Sequence, residues 1–126
     1  MQPEFSIGEI NVICSDIEES LHFYRDILGL SPVEQEDDAW HLRCGAQSVL
    51  LLPAAAQRGD VAPYCSVPVV SVDLMVKDLA AACRHFKAHN VAFDRDWSPD
   101  ARSFHIRDPD GIVWEVIASA RQQGAR

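Results

Sequence analysis

A duplication within the chain limits its fold more than any other feature. Trp40-His41-Leu42-Arg43 returns as Phe104-His105-Ile106-Arg107, a shift of 104 − 40 = 64. Asn11-Val12-Ile13-Cys14-Ser15-Asp16 is echoed by Asp73-Leu74-Met75-Val76-Lys77-Asp78, a shift of 78 − 16 = 62. Two matches in the same order at nearly one offset are the trace of a repeated supersecondary unit. Function is then expected where the two copies face each other.

Each copy reads as strand, helix, strand, strand, strand. From Glu9 the residues alternate, with Ile10, Val12 and Cys14 on one face and Glu9, Asn11 and Ile13 on the other, as in a half-buried strand. Asp16 with Glu19 three residues on is a capping-box pattern that starts a helix at Ile17. Ile17, Leu21, Tyr24 and Leu28 form its stripe, widened by Phe23 and Ile27, and Gly29 ends it. Strands follow over Pro32–Gln35, Ala39–Cys44 and Ser48–Leu52, separated by turn residues. Pro53–Pro68 reads as a connector, in which Tyr64 and Cys65 either pack as linker residues or lie over a pocket. The second copy is expected as a strand over Val69–Lys77, a helix over Leu79–Ala88, and strands Ala92–Arg95, Ser103–Arg107 and Ile112–Ala118. Asp108-Pro109-Asp110-Gly111 forms the turn before the last of these. The expected core between sheet and helices is Ile10, Val12, Leu21, Tyr24, Leu74, Val76, Phe86, Ile106 and Trp114, joined by Trp40 and Phe104.

With 126 residues, 48% of them hydrophobic, the chain fits one domain. Its parts are module one at 6–53, a linker at 54–68, module two at 69–118 and a tail at 119–126. A net charge of −8 argues against nucleic acid or an anionic membrane as partner, since both need a basic face. No apolar run approaches a membrane span, and an N-terminus with Glu4 and Glu9 and no early Lys or Arg is wrong for a secretory signal. A cytoplasmic location is expected. Cys14, Cys44, Cys65 and Cys83 lack a C-x-x-C spacing and read as reduced, mostly buried thiols.

Strand alternation turns Leu42 and Ile106 toward the helices, so His41, Arg43, His105 and Arg107 face the other side. There the imidazoles can serve as acid and base near neutral pH, or as solvent-side partners of Glu9 and Asp73. Glu115 lies opposite Trp114 and is expected to look into a pocket. Its alternative is a surface position on an edge strand. Trp97, inside the polar loop Asp94–Asp100, is a candidate lid. His85 and His89 have i, i+4 spacing but no third ligand beside them, so they read as exposed helix residues.

Asp16, Ser20, Phe23-Tyr24 and Leu28-Gly29-Leu30 resemble the helix signature of the vicinal oxygen chelate superfamily, which includes glyoxalase I, extradiol dioxygenases, fosfomycin-resistance enzymes and bleomycin-resistance proteins. Asp108-Pro109-Asp110-Gly111 followed by Glu115 resembles its second signature, and the likeness spans residues 6–118. It implies an α+β fold in which two βαβββ modules form a cupped mixed sheet with helices outside and the ligand or metal within. It also implies four cup positions able to hold a metal. Counting seven back from each helix cap gives Glu9 and Ser71, the last strand gives Glu115, and 115 − 64 = 51 gives Leu51. Leucine cannot ligate and a neutral serine hydroxyl is a weak ligand for transition metals.

No cofactor is therefore expected. The alternative is a divalent ion held by Glu9 and Glu115, with His105 as replacement ligand. The expected ligand-binding set is Glu9, Asn11 and Ile13, then His41, Arg43 and Leu51, then Ser71, Asp73 and Met75, then Trp97, His105, Arg107 and Glu115. The functional expectation is a metal-independent small-molecule binding protein of the resistance type. Its alternative is a lyase, isomerase or dioxygenase in which Glu115 and His105 are catalytic. A homodimer is the expected assembly.

Overall fold

Two copies of one βαβββ unit need two hydrophobic layers, and the computed structural model supplies one sheet with one helix for each copy. It describes residue 4 and residues 9–54, 59–65 and 70–119. The expected start of module one at 6–8, the strand start at Val69, much of the connector and the tail from 120 lie outside the described residues. The chain divides into two compact units, Met1–Arg58 and Gly59–Arg126.

In the first unit, β1 (Ile10–Cys14) leads into α1 (Ile17–Leu21), followed by β2 (Ser31–Glu36), β3 (Ala39–Cys44) and β4 (Gln47–Pro53). The sheet order is β1-β4-β3-β2, with β1 parallel to β4 and the other pairs antiparallel. Asp16 caps α1 as the sequence predicts, its carboxylate accepting from the amides of Glu18 and Glu19 at 3.1 Å. The expected single α-helix up to Gly29 is instead a short α-helix that widens into a π-helical stretch over His22–Ile27. The Leu28 amide accordingly donates to the Phe23 carbonyl five residues back. Phe23 and Tyr24 are adjacent yet both buried, edge to face with ring centroids 5.0 Å apart. Gly29, at φ +81, reverses the chain where a side chain would be strained.

The second unit repeats the order with β5 (Val72–Val76), α2 (Leu79–Ala88), β6 (Ala92–Arg95), β7 (Ser103–Arg107) and β8 (Val113–Ala118), arranged β5-β8-β7-β6. Asp78 caps α2 through the Ala81 amide. Cys83 and Phe86 are the buried residues of α2. Phe104 sits beneath that helix between Phe86, 6.1 Å away, and Phe93, stacked at 5.4 Å. Ile106, Trp114 and Val116 complete the same buried face.

Of the expected core, Val12, Leu21, Tyr24, Phe86, Phe104, Ile106 and Trp114 are buried, while Ile10, Trp40, Leu74 and Val76 are half-buried. None of the four cysteines is in a disulfide, but only Cys14 and Cys83 are buried. Cys44 and Cys65 are exposed, one at a hairpin end and one in the connector. Among the described residues no helix is long and apolar enough to cross a membrane.

Candidate functional site on the open sheet faces

Strand alternation gives each sheet a face buried under its helix and an opposite face that is more open. In the first unit the cross-strand register places Asn11, Leu50 and His41 in one row of the open face. In the second it places Asp73, Glu115 and His105 in the matching row. The repeat offset is 105 − 41 = 64 for the histidines but 115 − 50 = 65 for the last strands. The cause is the turn. Five residues, Asp108 to Ile112, separate the paired Arg107 and Val113, whereas four, Cys44 to Gln47, separate the paired Arg43 and Ser48.

That extra residue corrects one expectation. Leu51 is fully buried on the helix side, beside Val12 and Trp40, and does not line the open face. The counterpart of Glu115 is Leu50. Since leucine has no donor atom either, the chemistry inferred for that position is unchanged.

The longer turn is built by its own side chains. Asp108 is buried and its carboxylate accepts from the amides of Asp110 and Ile112 at 2.9 and 2.8 Å. Arg107 donates to the Gly111 carbonyl at 2.6 Å. Gly111 has φ +90, and a Cβ there would lie 2.8 Å from both Val61 methyl groups. Both conformation and space demand glycine.

Each histidine of the repeat sits between two carboxylates. His41 directs Nδ1 to Glu9 at 3.4 Å and Nε2 to Glu36 at 3.7 Å. His105 directs Nδ1 to Asp94 and Nε2 to Glu115, both at 3.6 Å, with its side chain only 11% exposed. The expected pairing of His41 with Glu9 is present, whereas His105 pairs with Asp94 and Glu115. Asp94 was not singled out from the sequence. It falls at a register shift of β6 between Phe93 and Arg95, and such a bulge re-aims a side chain in a way that simple alternation does not anticipate. The same shift occurs in β2 between Pro32 and Glu34.

Asp94 also holds Arg107. The guanidinium Nε donates to Asp94 Oδ1 at 3.0 Å, and Nη2 reaches the same oxygen. Arg107 is therefore committed to Asp94 and to the turn, and Glu115 meets an imidazole edge. Asp73, beside Glu115 in register, has no ion-pair partner among the described residues. Beyond this polar region Ile13 and Met75 are large apolar side chains on the open faces, each about half exposed, beside Leu52 and Ile117. Arg43 is exposed at the end of β3.

Ser71 is half-buried, and its hydroxyl lies 3.1 Å from the Tyr64 hydroxyl. The Tyr64 ring meets the His105 ring at 4.8 Å in a T-shaped arrangement. Trp97 belongs to a loop tied to α2. Asp96 accepts from the Trp97 amide at 2.7 Å and from Lys87 at 2.9 Å, and Lys87 holds the Asp96 carboxyl below its usual pKa. His85 and His89 are exposed on α2.

Both His105 nitrogens are directed to different carboxylates, so Asp94 and Glu115 lie at opposite edges of the ring and do not converge on one point. The row that carries Glu115 in the second unit carries Leu50 in the first. Among the described residues no three His, Cys, Asp or Glu side chains are disposed to hold a metal ion together. The residues present do not fit a transition-metal centre.

Comparison with known proteins places these features. Residues 6–116 match the family model described as glyoxalase/bleomycin resistance protein/dioxygenase superfamily. The fold is similar to that of a glyoxalase/bleomycin resistance protein/dioxygenase from Alicyclobacillus acidocaldarius, with a TM-score of 0.69, 16% identity and coverage of 97% of this chain and 98% of that one. It is also similar to a lactoylglutathione lyase from Agrobacterium tumefaciens, with a TM-score of 0.64, 22% identity and coverage of 98% and 100%. A third likeness is to the fosfomycin resistance protein FosX from Listeria monocytogenes, with a TM-score of 0.73, 12% identity and coverage of 96% and 99%. No curated protein matches by sequence.

Proposed function

Because the chain belongs to the glyoxalase/bleomycin resistance protein/dioxygenase superfamily, we propose that it binds a small molecule on the open sheet faces without a resident metal, as a sequestering protein. The ligand presents an amine or hydroxyl group to Glu115 and an apolar part to Met75, both on the open face of the second unit. One observation carries this reading: Arg107, the cation closest in register to Glu115, is held by Asp94 and the turn carbonyl, so Glu115 is left to an imidazole and to whatever binds. A carboxylate on a partly buried face is poorly solvated, and a cationic or donor group restores what water would give.

A second reading has support from the same cluster. Glu115 and His105 touch at 3.6 Å, the arrangement of a base with an acid beside it, and a relative of similar fold is a lyase. In that case Glu115 takes a proton from the bound substrate and His105 returns it, with Asp94 orienting the imidazole.

Calorimetric titration with paired cationic and anionic analogues of one aromatic scaffold tests the binding reading. The cationic member should bind wild type more tightly, and Glu115→Gln should weaken it by about tenfold or more, the loss of one charge-assisted hydrogen bond. Tighter binding of the anionic member, unchanged in Glu115→Gln, would sink it. Turnover of the bound compound that disappears in Glu115→Gln would favour the enzyme reading.

A further inference from the structure

The connector residues 59–65 belong to the second unit, and two of them are docked on it. Val61 packs against Gly111 closely enough to exclude a Cβ there. Tyr64 reaches from Ser71, at the start of β5, to His105 on β7. With the order β5-β8-β7, that reach crosses two strand spacings, about 9.6 Å, and so spans β8, the strand that carries Glu115. Tyr64 thus lies against His105, the imidazole whose Nε2 faces Glu115, the carboxylate to which the proposed function assigns the ligand. Cys65, the next residue, has φ +66, a left-handed conformation that a non-glycine residue holds only under constraint.

The geometry points to Tyr64 as an internal occupant of the second unit's open face, a tyrosine gate that an external hydroxylated ring displaces to reach His105 and Glu115. The site's preference follows from what already fills it: a planar ring against the imidazole, with a hydroxyl placed to exchange a hydrogen bond with Ser71. A ligand of that form replaces both contacts, and release of Tyr64 also frees Cys65 from its constrained turn. Apparent affinity is lowered by the fraction of molecules in which the gate is closed. This inference rests on the reading of that face as the ligand-binding surface.

The test follows the reaction of each histidine with diethyl pyrocarbonate, resolved by peptide mass spectrometry at constant pH. His105 should react slowly in wild type. Tyr64→Ala should accelerate it by about fivefold or more, and Tyr64→Phe, which keeps the ring and loses the Ser71 bond, by about twofold. The His41 rate should stay the same in both, with circular dichroism confirming folded protein. Added p-cresol, the side chain that Tyr64→Ala removes, should slow His105 again in that variant, and toluene should protect less. A wild-type His105 rate in Tyr64→Ala or in Tyr64→Phe overturns the gate, as does failure of p-cresol to protect. A negative titration with the cationic analogues would remove the functional reading while leaving the reagent rates as they are.

Discussion

Asp94 decides the electrostatics of the second unit's open face. It sits between Arg107 and His105, so one carboxylate absorbs the guanidinium and leaves Glu115 and Asp73 as the acids available to a ligand. Asp94→Asn should free Arg107 to approach Glu115 and shift preference from the cationic toward the anionic analogue, read as a change in the ratio of their dissociation constants. Gly111→Ala should destabilise the fold by about 1–3 kcal/mol, since a φ of +90 is strained for alanine and its Cβ would strike Val61. The urea midpoint would show it, and an unchanged midpoint would mean the turn relaxes freely. On the surface, Arg25 and His22 hold the Asp26 carboxyl down to about 2 from 3.8. A depressed carboxyl contributes stability that is present above 3.8 and lost as pH falls toward 2. Melting temperature should therefore fall less steeply across that window in Asp26→Asn than in wild type, and only slightly so because the pair is exposed.

At the scale of elements, most boundaries were legible because period and punctuation agreed. Asp16 and Asp78 announced both helices, and every strand lies within a few residues of its alternating run. Asp16→Ala should lower stability by about 1 kcal/mol, measurable as a loss in denaturant midpoint, because two amides of the first turn lose their acceptor. What could not be read has a common cause. The π-helical stretch, the bulge that aims Asp94 and the extra turn residue that exchanges Leu50 for Leu51 are each changes of register by one position, and a one-residue slip in a strand moves a side chain to the opposite face. The position of Tyr64 was open for a different reason. It depends on where the connector lies in space, and a non-periodic segment carries no signal for that.

For the whole molecule, both sheets end in strands whose outer edges are unpaired in the ladders described, β1 and β2 in one and β5 and β6 in the other. β2 is exposed along its entire length, and Val33, within it, is 58% exposed. Unprotected edges favour association, and a two-fold symmetric partner is the commonest solution. A homodimer is the expected state by light scattering at micromolar concentration, and a monomer at high micromolar concentration would contradict it. A charge of −8 per chain opposes clustering and should make any association tighter at high salt than at low.

The two halves also record an order of events. The bulge sits at equivalent places in β2 and β6, so the simplest history puts it in a single-module ancestor, before the gene for that module was doubled. The histidine between two acids is likewise present twice, but none of its acids is. Glu9 corresponds to Ser71, Leu50 to Glu115 and Val33 to Asp94, so the two halves surround the same histidine with carboxylates from different positions. Inheritance explains the histidines. The acids around them are matched in kind and not in position, so the imidazole environment is common to both halves although its residues are not.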